Sequence, residues 1–241
     1  MLNSLRRTLT ATALGVVLLT AGMAFAADPV TDAMQGTSAS YRVAMFKLSG
    51  QSLPEATEAL TAAQKAWDSF RNQVGSKPGA PYDRDAEFAA SVAKVSAIFS
   101  KAQSELAAGQ AGAAHTALKE VRSVIADLRR RSNVVVYADQ IHAYHLQMET
   151  VLIDGKAMLE QPKGMLQVTA QVGALSYLAN RLRTQAPAEL LGKSEFAAMV
   201  DAVNGATLDL QNALLAQDMA AVKDAMGKLK GPYSKLFAKF G

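Results

Sequence analysis

The chain has 241 residues, with 25 Lys and Arg against 21 Asp and Glu, a formal net charge of +4, and no cysteine. The missing cysteine excludes disulfides, thiol nucleophiles, lipid-anchor cysteines and covalent haem attachment. The small charge imbalance excludes the concentrated basic face that nucleic-acid binding requires, and a composition rich in Ala, Leu, Gln and Lys with only 6% aromatics favours helices.

At the N-terminus, Arg6 and Arg7 precede an apolar stretch that ends in the small-x-small sequence Ala24-Phe25-Ala26. Residues 1–26 therefore read as a cleaved signal peptide, with the mature chain starting at Ala27 and exported to the periplasm of a Gram-negative bacterium. The apolar core of this stretch is short and interrupted by small and polar residues, and no later segment is longer. The protein is not expected to span a membrane. Removing Arg6 and Arg7 leaves 23 basic residues against 21 acidic ones, so the mature chain is close to neutral. The one basic run, Arg129-Arg130-Arg131, sits where a helix C-terminus favours positive charge.

Along the chain, apolar residues recur at spacings of three and four. Val92, Val95, Ile98, Phe99, Ala102 and Leu106 make one stripe, and Ala114, Leu118, Val121, Ile125 and Leu128 make the next. Helices are predicted near 33–48, 54–73, 84–107 and 111–131. The Gly/Pro-rich stretch 75–85 forms the main loop, and Gly109 to Gly112 form a turn. After a joint at Asn133, a residue suited to a left-handed helix end, four more helices are predicted near 134–159, 163–184, 193–216 and 218–239.

The two sets resemble each other. The segment starting at Glu87, EFAASVAKV, matches EFAAMVDAV starting at Glu195, an offset of 108. At the same offset Gln103 meets Gln211, Leu106 meets Leu214, Ala113 meets Ala221 and Leu128 meets Leu236. Chance matches do not keep register over such a span. The expected fold is all-α: two tandem antiparallel four-helix bundles, 27–132 and 133–241, derived from an internal duplication. A solenoid of helical hairpins is the alternative.

The helix at 134–159 carries the candidate site. His142, His145 and Glu149 follow the i, i+3, i+7 spacing of one helix face, Asp139 extends the stripe by a turn, and Met148 lies three residues from His145. Imidazole and carboxylate ligate Zn²⁺, Cu²⁺, Ni²⁺ or iron, and the thioether of Met148 adds a soft donor for copper. The competing expectation is structural, with His145 at the core edge bonded to a neighbouring helix and His142 and Glu149 on a solvated flank. His115 aligns with Lys223 in the other half, which predicts exposure.

No GxSxG, HExxH or phosphate-cradling loop occurs, and neither His142 nor His145 has the Glu three residues earlier that di-iron bundles need. The expected function is a non-enzymatic periplasmic binding protein for a transition metal, in storage, delivery or sensing. The alternative is a helical interaction module docking on an envelope complex. A lesser one is a non-covalent haem bundle, with Met165 or Met199 facing His145.

Overall fold

The computed structural model describes residues 28–50, 52–75 and 77–241, so the signal peptide expected at residues 1–26 lies outside the described residues. These residues form α-helices joined by turns, apart from a longer connection between Val74 and Phe88 that holds a 3-10 turn at Tyr82–Arg84, with no strand among the described residues. In the first half α1 spans Pro29–Gly36, α2 Ser38–Leu48, α3 Leu53–Val74, α4 Phe88–Ala107 and α5 Ala111–Arg131. In the second half α6 spans Tyr137–Leu159, α7 Gly164–Thr184, α8 Ala188–Leu191, α9 Ser194–Leu215, α10 Met219–Lys228 and α11 Lys230–Phe240.

Local chemistry accounts for several of the boundaries. Asp28 caps α1 by accepting from the Thr31 N–H at 2.6 Å, with Pro29 in the first turn. Asp218 caps α10, accepting from the Ala220 and Ala221 N–H groups at 3.0 Å. Asn133 takes a φ of 55° at the joint, as its position predicts, and the α4–α5 turn uses Gly109 at φ 76°. The corresponding turn in the second half places Gln217 in the same region, at φ 56°.

Three departures from the predicted helices have physical causes. The first predicted helix is two, because the Thr37 hydroxyl and N–H both bond to the Met34 carbonyl, at 2.7 and 3.1 Å, and close the turn after Gly36. The last is broken at Leu229, where Pro232 supplies no N–H to continue the ladder. The loop before α9 holds a single helical turn, α8, following Pro187. With these breaks the elements keep the 108-residue offset: α1–α2 answers α6, α3 answers α7, α4 answers α9, and α5 answers α10–α11.

Each half buries its own core. The first collects Trp67, Phe70, Tyr82, Phe88, Phe99 and Leu118, with Trp67 Nε1 donating to Ser96 Oγ at 3.0 Å. The second is built on Ile141, Tyr144, Met148, Leu175, Phe196 and Leu210, and a Tyr144–Thr207 hydroxyl bond of 3.0 Å satisfies its buried phenol. Within each half the first and last helices also pack together, α2 on α5 and α6 on α10. The halves meet where α11 lies against α2, and α5 against α6. Phe237 of α11 packs against both cores.

The α6–α7 turn is tight. Lys163 takes a φ of 65°, and a Cβ on the buried Gly164 would lie 1.8 Å from the Met158 carbonyl oxygen. Gly164→Ala is expected to destabilise the protein by about 1–3 kcal/mol through overpacking, read as a lower urea midpoint. An unchanged midpoint would mean that the turn relaxes freely.

Candidate functional site

The stripe predicted on α6 does not face one place. Asp139 is committed to structure: its Oδ2 accepts from the Val136 N–H at 3.3 Å, capping α6, and from Arg129 Nε at 3.0 Å, while Oδ1 takes Arg129 Nη2. Met148 is a core residue, 1% exposed. Glu149 accepts from Lys119 Nζ at 2.6 Å across the seam between the halves. Asp139 and Met148 therefore leave the predicted ligand set, one neutralising a buried guanidinium and the other filling the second core.

The two histidines are buried, each 7% exposed, so the solvated flank expected for His142 is not what the fold makes of it. The facing helix α5 covers it, with Ser123 Oγ 3.3 Å from its Nε2. His145 stacks on Tyr233 of α11 at 4.8 Å between ring centroids, and its Nε2 is 3.5 Å from Glu149 Oε1. Both Nδ1 atoms are buried without a hydrogen-bond partner. Burial, together with Arg122 and Arg129, pushes the His142 pKa down to about 4, and burial with Arg122 and Lys119 carries His145 down to about 2. Both rings are neutral at ordinary pH.

Neutral imidazoles are the ligating form, but their placement does not make a chelate. Two imidazoles on one tetrahedral ion, with metal–nitrogen bonds of about 2.0–2.1 Å, would hold their centroids roughly 5 Å apart. Here the centroids are 6.4 Å apart. Among the described residues no group of three or more His, Asp or Glu side chains is placed to hold a metal ion. Met165 and Met199, the expected haem partners of His145, pack against the second core and line neither cavity that the histidines face.

What the histidines do line is a divided chamber in the seam. One cavity, of about 290 Å³, is walled by Tyr41, Trp67, Phe99, His142 and Phe240. A second, of about 350 Å³, is walled by His115, Lys119, His145, Glu149 and Tyr233, with the exposed Phe46 and Ile153 at its rim. His115 is thus half-buried at the chamber rather than solvent-facing. Arg42, Arg122 and Phe237 are common to both walls.

Arg122 is the residue that the sequence reading missed. Its Nη1 donates to the Tyr233 hydroxyl at 2.7 Å and its guanidinium lies 4.5 Å over the Phe237 ring, yet its Nε is buried and unpartnered. The available signal was in the repeat: at the 108-residue offset Arg122 meets Lys230, a cation beside the apolar stripe in both halves. Tyr41 donates to the Leu118 carbonyl at 3.1 Å, and burial pushes its pKa and that of Tyr233 up, so both phenols are neutral beside the arginine.

No protein-family model matches the chain, and neither a curated protein nor a solved structure matches it. Among the described residues no helix is long and apolar enough to cross a membrane.

Proposed function

We propose that the protein is a non-enzymatic binding protein that holds a small molecule in the chamber between its two halves, working in the periplasm after export on the signal at residues 1–26. The carrying observation is the chamber itself. Its two cavities, of about 290 and 350 Å³, share a wall of one aromatic and two cationic side chains and together fall within the size range of small-molecule sites. Mostly apolar walls with a few convergent polar groups are what such a site needs for affinity and orientation, respectively. The neutral His142 and His145 offer lone pairs or N–H donors to an occupant, depending on tautomer.

A second reading, a transition-metal site, keeps one observation in its favour: two buried, neutral imidazoles whose Nδ1 atoms bond to nothing. It needs side-chain rotation to bring the rings together, with Glu149 leaving Lys119 to complete the set.

One experiment separates the two. Small aryl and aliphatic metabolites, and separately Cu²⁺, Zn²⁺ and Ni²⁺, are titrated by calorimetry into the wild type, into Ala138→Trp, which fills the first cavity, and into His142→Ala/His145→Ala. The binding-protein reading expects one-to-one small-molecule binding that Ala138→Trp abolishes. Stoichiometric metal binding lost in the double variant, with no small-molecule binding, would replace it by the metal reading. Binding of neither kind would leave the seam a purely structural joint.

A further inference from the structure

Resting on the binding-protein reading above, we propose that the chamber's occupant is an aryl carboxylate whose oxyanion is held by the guanidinium of Arg122. Arg122 and Arg129 stand seven residues apart on α5, about two turns along one face. Arg129 shows how this helix uses an arginine when a carboxylate is within reach: Nε and Nη2 together grip Asp139. Arg122 grips no carboxylate: its Nη1 is given to Tyr233, and the Tyr41 hydroxyl also lies against its guanidinium. Its Nε is buried without a partner, and among the described residues no carboxylate forms an ion pair with the group.

An arginine cannot shed its charge. The groups around this one do not answer it: Tyr41 and Tyr233 are neutral phenols, His142 is a neutral imidazole, and Glu149 is engaged by Lys119. The planar fork matches a carboxylate in two parallel hydrogen bonds, so an acid supplied from outside completes the site as Asp139 completes that of Arg129. Lys230, on the wall of the second cavity and without a carboxylate partner among the described residues, adds to the attraction for an anion and disfavours a cation.

The body of the ligand follows from the walls. Trp67, Phe99, Tyr137, Phe237 and Phe240 face the first cavity beside Arg122, and about 290 Å³ suits one ring or an indole. An inorganic anion would satisfy the guanidinium and leave that aromatic wall uncovered.

The test is calorimetry on the purified full chain with benzoate, 3-phenylpropionate and indole-3-acetate, each beside its own neutral amide, and with inorganic phosphate. At least one acid is expected to bind one-to-one, at least tenfold tighter than its amide. Arg122→Lys keeps the charge but loses the fork, and it should weaken that acid at least tenfold while leaving the amide unchanged. Acid and amide binding alike, both abolished by Ala138→Trp, would overturn the anion site and leave the chamber reading standing. Acid binding indifferent to Arg122→Lys, or phosphate displacing the acid at equal concentration, would also overturn the proposal. Absence of saturable binding by any acid or amide would sink both readings. Should Arg122→Lys fail to fold, the acid-to-amide ratio in the wild type decides alone.

Discussion

Replacing Asp139 by alanine is expected to cost about 3–5 kcal/mol of stability, because it strands a buried guanidinium. Arg129 is only 7% exposed, and its partner side chain is 20% exposed, so little water is available to compensate. The same carboxylate caps α6 through the Val136 N–H, which adds to the loss. Arg129 also reaches Met34 of α1, with Nη1 3.7 Å from the sulfur, so the pair ties the first half to the start of the second. Removing both charges together, as in Arg129→Met/Asp139→Leu, should recover much of the loss, since no lone charge remains buried. Urea unfolding of the wild type, the single variant and the double variant decides the matter. A single-variant loss under about 1 kcal/mol would put the pair among exposed ion pairs and return Asp139 to the pool of candidate ligands.

Acid should unfold the protein early, and His142 and His145 should be the reason. Well above pH 6.5 neither histidine binds a proton in either state, so there they add no pH dependence. As the pH falls below 6.5 the unfolded chain takes up both protons, while the folded protein refuses them until about pH 4 for His142 and about pH 2 for His145. Stability is therefore lost on the acid side, beginning at the unfolded value. By pH 4.5 the shortfall amounts to about 2–3 kcal/mol for each ring. Carboxylates paired in the fold, such as Asp85 with Arg131, also weaken in acid, so the comparison must be internal. Between pH 7 and 4.5 the wild type is expected to lose about 4–6 kcal/mol more than His142→Gln/His145→Gln. Equal losses would mean that water reaches the rings and that the seam is looser than the packing of Tyr233 on His145 implies.

The imidazoles' low affinity for protons and the unpartnered Nε of Arg122 share one cause. The seam removes water from polar groups without supplying each with a partner. Asp139 and Glu149 neutralise Arg129 and Lys119, but no side chain does the same for Arg122. A charged group left in this state is more informative than a core side chain whose only role is packing.

By itself the sequence determined the helices and their pairing into halves. Stripes such as Leu118, Val121, Ile125 and Leu128 record which face of a helix must leave water, and the 108-residue register carries that record from Phe88 to Phe196 and from Leu128 to Leu236. Asn133 and Gly109 marked their turns for the same local reason, a backbone that must enter the left-handed region. The tertiary structure alone decided which polar side chains meet. His142 lies on the flank of its own helix stripe and looked solvated, but α5 covers that flank. Asp139 had the spacing of a ligand, but Arg129 from the preceding helix claimed it. Arg122, at the edge of an amphipathic face, became the wall of a chamber. Periodicity states how much of a helix is buried; only docking one bundle on the other states against what, and at that seam the outer flank of each half becomes the inside of the whole.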